Sequence, residues 1–138
     1  MSECSCGVGK NRLIYACSGT SDVGHIADLS SRKLSKEGFG KMTCLAAIGA
    51  HLSGFVESAK GADLNITIDG CPVACGKKNL EHIGVKPEAI NLAELGFVKG
   101  KSPVTDKNIE KAVKVIKAKL KISKQERPVR TTGSCGCS

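Results

Sequence analysis

Four short apolar or β-branched runs, each followed by a stretch of helical spacing, constrain this chain more than any other feature it has. Arg12-Leu13-Ile14-Tyr15-Ala16-Cys17 stops at Ser18-Gly19-Thr20-Ser21-Asp22, which predicts a strand ending in a turn. With Ser21 or Asp22 as N-cap, Val23, Ile26, Ala27, Ser30 and Leu34 then fall on one helix face, and Gly38 is a stop. A second strand ends at about Cys44, because Leu45, Ile48, Leu52, Phe55, Val56 and Ala59 repeat with a period near 3.6 and predict one helix.

Leu64-Asn65-Ile66-Thr67-Ile68 alternates and leads into Asp69-Gly70-Cys71-Pro72. Proline favours the first helical position, so Cys71 is the expected N-cap of a helix with Val73, Leu80 and Ile83 on its apolar side. A weaker strand follows over residues 89–93, then a loop over 96–103 and a last helix from Thr105 to about Ile122. In that helix Ile109, Ala112, Val113, Ile116 and Leu120 share a face, with Lys107, Lys111, Lys114, Lys117 and Lys121 away from it.

Strict alternation predicts the α/β class: a three-layer α/β/α sandwich around a mainly parallel four-stranded sheet. The expected domain covers residues 12–122. Residues 1–11 read as a flexible Cys-x-Cys segment and 123–138 as a basic, Gly/Ser-rich tail with a second Cys-x-Cys. A length of 138 residues suits one such domain.

Charge and composition narrow the function. The formal net charge is +8, yet residues 1–98 hold ten Lys/Arg against ten Asp/Glu, so the excess lies in the last forty residues. A solvated lysine face explains it, and nucleic acid is not the expected partner. Aromatic residues make up only 3%, which leaves few platforms for base stacking. No apolar run approaches the roughly 18–20 residues of a membrane span, and the start Met1-Ser2-Glu3-Cys4 lacks a signal-peptide layout. The expected location is cytoplasmic.

The eight cysteines are the unusual count. In a reducing compartment they point to metal binding or thiol chemistry rather than disulfides. Cys4 with Cys6 and Cys135 with Cys137 form terminal pairs, read as sites of transient metal or thiol exchange or as exposed tail thiols with no folded role. Cys17, Cys44 and Cys71 each fall at a predicted strand end, and Cys75 one helical turn past Cys71. In a 2-1-3 order these strand ends are neighbours about 4.8 Å apart per step, on the edge where open α/β sheets bind ligands. Four thiolates there suit zinc or an iron-sulfur cluster, which ligand type does not separate. Asp69 is expected beside the ligands as a hydrogen-bond acceptor, or else as a turn-forming residue before Gly70, and His25 as a hydrogen-bonding neighbour of the ligands or an acid/base group.

Other readings remain open. Four small buried hydrophobes would be inert. Thiol redox or sulfur transfer would make Cys71 the nucleophile, activated at its helix N-terminus and resolved by Cys75 or Cys17. Against it, the chain has no thioredoxin-like C-x-x-C, and the residue six after Cys17 is Val23 rather than the arginine of a C-x₅-R loop. The segment 18–24 also lacks a dinucleotide or Walker pattern. His82 is about 10 Å along the helix from Cys75, and His51 reaches Cys44 only if the chain loops back, so neither is an expected ligand.

Ile68-Asp69-Gly70-Cys71-Pro72-Val73-Ala74-Cys75-Gly76-Lys77-Lys78, with Cys17-Ser18-Gly19-Thr20-Ser21-Asp22-Val23-Gly24 and Met42-Thr43-Cys44-Leu45-Ala46 upstream, resembles the DGC-domain family, named for its Asp-Gly-Cys triplet. The resemblance spans roughly residues 12–100. It implies zinc binding through Cys17, Cys44, Cys71 and Cys75, and it implies no reaction. The terminal Cys-x-Cys pairs lie outside it.

Overall fold

The computed structural model describes residues 10–121. Both terminal Cys-x-Cys segments therefore lie outside the described residues.

Strand β1 (Arg12–Ala16) pairs in parallel with β2 (Lys41–Met42) on one side and β3 (Leu64–Asp69) on the other, and β4 (Glu88–Asn91) pairs with β3. The order is β2-β1-β3-β4, all parallel. Because side chains alternate across a strand, β1 feeds two cores. Ile14 joins Ile66, Ile68 and Ile90 beneath α1 (Asp22–Lys36) and α5 (Asp106–Leu120). Leu13 and Tyr15 face the other way, onto Ile48 of α2 (Leu45–Gly49), Ala59 of α3 (Ser53–Gly61) and Leu80 of α4 (Cys75–His82). This is the expected three-layer sandwich.

The chain moves from β1 outward to β2, then back past β1 to β3. Right-handed crossovers then require helices on opposite faces, and the reversal makes the gap between β1 and β3 the topological switch point. The carboxyl ends of those two strands carry Cys17 and Asp69-Gly70-Cys71.

The terminal helices follow their local signals. Ser21 caps α1 by accepting from the Gly24 N–H at 3.2 Å, and Thr105 caps α5 through the Asn108 N–H at 3.2 Å. Two expectations are corrected. The single helix over residues 45–59 is broken into α2 and α3, with His51 left-handed at φ 56° between them. The helix expected to start at Cys71 starts at Cys75 instead, and residues 71–74 form a turn closed by the Ala74 N–H on the Cys71 carbonyl at 3.1 Å. Pro72 takes the second position of that turn, where its fixed φ serves as well as in a first helical turn. Val73, expected on an apolar helix face, is 56% exposed.

Lys117 is also not a solvated lysine. It pairs with Glu37 at 2.7 Å and its ammonium lies 4.6 Å from the Phe39 ring centroid, tying α5 to the end of α1.

Candidate functional site

Backbone geometry fixes Cys17 first. Its N–H donates to the Ile68 carbonyl at 3.1 Å, extending the β1–β3 ladder by a residue and setting Cys17 opposite Asp69. Its sulfur accepts from the Gly70 N–H at 3.4 Å. Burial pushes the Cys17 thiol pKa up, with the nearby Asp69 and Cys71 adding to the rise, while the amides of Gly19 and Gly70 pull against it.

The glycines around this thiol are there for space. A Cβ on Gly70 would stand 2.6 Å from the Val23 carbonyl, and one on Gly24 would stand 2.7 Å from the Gly19 oxygen. The turn after β3, the loop after β1 and the first turn of α1 thus lock backbone to backbone. That contact is what the middle residue of the Asp-Gly-Cys triplet supplies.

Asp69 is almost wholly buried, and its carboxylate accepts from the Gly76 N–H at 2.7 Å and the Lys77 N–H at 3.1 Å. It therefore caps α4 from seven residues upstream, and the missing side chain at Gly76 makes room for it. Burial raises its carboxyl above the ordinary range, against the lowering effect of those two amides. Since this carboxylate takes amides of the first turn of α4 and Cys71 lies before the helix, the basis for Cys71 as a helix-activated nucleophile is removed. Cys75, the first helical residue, is the thiol at that helix end. On the far side, Asn91, paired in register with Asp69, donates its side-chain N–H to the Cys71 carbonyl at 2.8 Å.

The four internal cysteines are free thiols that border two adjoining hollows at this edge. A cleft of about 850 Å³ is lined by Cys17, Cys44 and Cys75, together with Asp28, Arg32 and Asn79. A smaller hollow of about 260 Å³ is lined by Cys17, Cys71 and Cys75, with Asp69 and Lys99. Cys17 and Cys75 border both. Cys44, exposed, is the cap residue of α2.

Soft thiolates fit a thiophilic ion by type. Their arrangement does not complete its shell: among the described residues no three His, Cys, Asp or Glu side chains converge to hold a metal. The expected convergence of sulfurs is thus limited to a shared edge. His25 is exposed and lines a separate shallow hollow with Ser18, Gly19, Thr20 and Asp28.

Several residues at this edge had no sequence signal as site residues. Asp28 accepts from Ser18 at 2.8 Å and from Arg32 at 2.7 Å. Burial works to raise its carboxyl, but those bonds and the Arg32 charge leave it below the usual range. Asp22 ties the loop after β4 to the start of α1, accepting from the Gly100 N–H at 2.9 Å and the Ser102 N–H at 3.0 Å. Helical spacing foretells helix membership for Asp22, Asp28 and Arg32, whereas their partners are set by the fold.

A parallel α/β sandwich with free thiols along the carboxyl ends of its inner strands defines a class of cysteine-edged domains. The DGC-domain family model matches residues 13–116, and the chain belongs to that family. It is also similar to the anaerobic and virulence modulator AnvM of Pseudomonas aeruginosa, at 33% identity over 88 residues, covering 63% of this chain and 67% of that protein. No solved structure matches. Among the described residues no helix is long and apolar enough to cross a membrane.

Proposed function

We propose that this DGC-domain protein binds zinc through Cys17, Cys44, Cys71 and Cys75 in a metal-handling or sensing role within the cytoplasm. The observation that carries the reading is the sharing of Cys17 and Cys75 between two adjoining hollows that together border all four thiols. Thiols stay reduced in that compartment, and thiolate donors select zinc over hard cations.

The separation of the thiols bears on the kind of site. Two hydrophobic cores pack the sheet on both faces, so the fold does not depend on zinc as a staple in the way small metal-nucleated domains do. Uptake that draws the Cys44 segment and the Cys71 turn toward Cys17 would couple loading to a change of surface. Such coupling suits reversible handling or sensing better than a permanent structural ion. A relative named as a modulator is in keeping with that.

The test is metal and acid-labile sulfide analysis of the full chain purified anaerobically. About one zinc per chain without sulfide, lost in Cys71→Ser and kept when Cys4, Cys6, Cys135 and Cys137 are replaced by serine, is the expected result. Iron with sulfide would replace zinc by a cluster. Metal-free protein with a single fast-alkylating thiol would overturn the reading in favour of thiol chemistry.

A further inference from the structure

Helices α2 and α4 pack against each other, and each has a cysteine at or just before its start and a histidine at or just beyond its end. Cys44 precedes α2 and His51 follows it by two residues; Cys75 opens α4 and His82 closes it. The two imidazoles meet with ring centroids 5.4 Å apart and planes inclined at 70°, and both residues are exposed. They stand at the end of the helix pair away from the thiols, since seven residues of α4 separate Cys75 from His82 by about 10 Å.

Two observations bear on whether this pair can share an ion. A zinc ion about 2.0–2.1 Å from a ring nitrogen is about 3.2 Å from that ring's centroid, so two rings sharing it tetrahedrally have centroids about 5 Å apart. The observed separation is close to that. Second, His51 has φ 56°, its N–H donates to the Ile48 carbonyl at 3.0 Å, and the Leu52 N–H donates to the Ala47 carbonyl at 3.0 Å. This is the helix-ending position that glycine fills with least strain. The main chain of His51 is thus held by the turn, which fixes where its side chain leaves the backbone.

We propose that His51 and His82 form a second metal site, taking a borderline divalent ion such as zinc on two imidazole nitrogens with water completing the shell. The site is independent of the cysteine reading.

The test is heteronuclear NMR of the imidazole rings in the full chain, with zinc added beyond the amount the thiols take up. The chain has three histidines, so His25 is an internal control. The His51 and His82 ring signals are expected to move together and saturate with one further equivalent while His25 stays still. His51→Gly suits the turn, so it should keep the native unfolding midpoint or raise it and abolish the His82 response. An unchanged His82 response in His51→Gly, or the same weak response from all three histidines, would overturn the site. The readout is on imidazoles, so a failure of the thiol site leaves it interpretable.

Discussion

The buried carboxylate of Asp69 accepts the backbone N–H of Gly76 at 2.7 Å, and so joins the end of β3 to the start of α4 across the Cys71 turn. Asp69→Ala orphans the amides of Gly76 and Lys77 and is expected to cost about 2–4 kcal/mol. Asp69→Asn keeps one acceptor but turns an NH₂ toward a donor, for a loss of about 1–2 kcal/mol. Urea unfolding measures both. Each variant should also speed alkylation of Cys75, because the first turn of α4 frays; an unchanged Cys75 rate in Asp69→Ala would refute this capping role.

Glycine replacements should separate close approach from open helix surface. Gly70→Ala drives a Cβ to 2.6 Å from Val23 backbone atoms, so the two loops that hold Cys17 and Cys71 must part. Destabilisation of at least about 1–3 kcal/mol is expected, since backbone cannot rotate away as a side chain can. Gly54 lies inside α3 with nothing within 4 Å of an added Cβ. There alanine should stabilise, by up to about 1 kcal/mol through helix propensity. Thermal melts of the two variants should shift in opposite directions.

How much of this was legible in the sequence depended on how local the cause was. The bounds of β1, α1 and α5 follow from an apolar run, a capping side chain and a helical period, all within a few residues. Alternation implies parallel strands but leaves their order open, so the β2-β1-β3 neighbourhood of the cysteine-bearing strands is supplied by the fold. By contrast, the start of α4 is set by Asp69 from outside the helix, and Pro72 serves a turn as readily as a helix. The break at His51 leaves the apolar spacing of residues 45–59 almost intact, so periodicity alone cannot see it. All four cysteines border the two hollows beyond β1 and β3. Whether their sulfurs converge depends on loop conformations, and strand-end positions do not encode those.

Asp22 offers a pH test on the same edge. The amides of Gly100 and then Ser102 hold its carboxyl below the ordinary carboxylate range. A depressed folded pKa means the contribution is present above the unfolded value and is lost as the pH falls through the folded one. The amide chemical shifts of Gly100 and Ser102 should therefore titrate together with a midpoint below about 3.9. In Asp22→Asn neither should titrate in that range. A midpoint at the ordinary value would mean that the loop after β4 is not held by this carboxylate.

Cys17 should be the slow thiol of the edge. Cys44 and Cys75 are exposed, whereas burial holds the Cys17 thiol protonated beyond its usual range. The thiolate is the reacting species, so timed iodoacetamide labelling at pH 8, mapped by mass spectrometry, should modify Cys44 and Cys75 first and Cys17 last. Raising the pH should narrow the gap, and unfolding in urea should erase it. The same shift has a sign for stability: a thiol whose folded pKa is raised favours the fold at low pH, and that contribution is lost as the pH rises through the folded value. Cys17→Ser should then flatten the decline of stability at alkaline pH. For metal uptake the consequence is that an ion must displace a proton this site retains, so zinc affinity should go on climbing with pH beyond the range where an ordinary thiol levels off. Labelling that reaches Cys17 before Cys44 would contradict both the burial of Cys17 and the upward pull of that burial on its thiol.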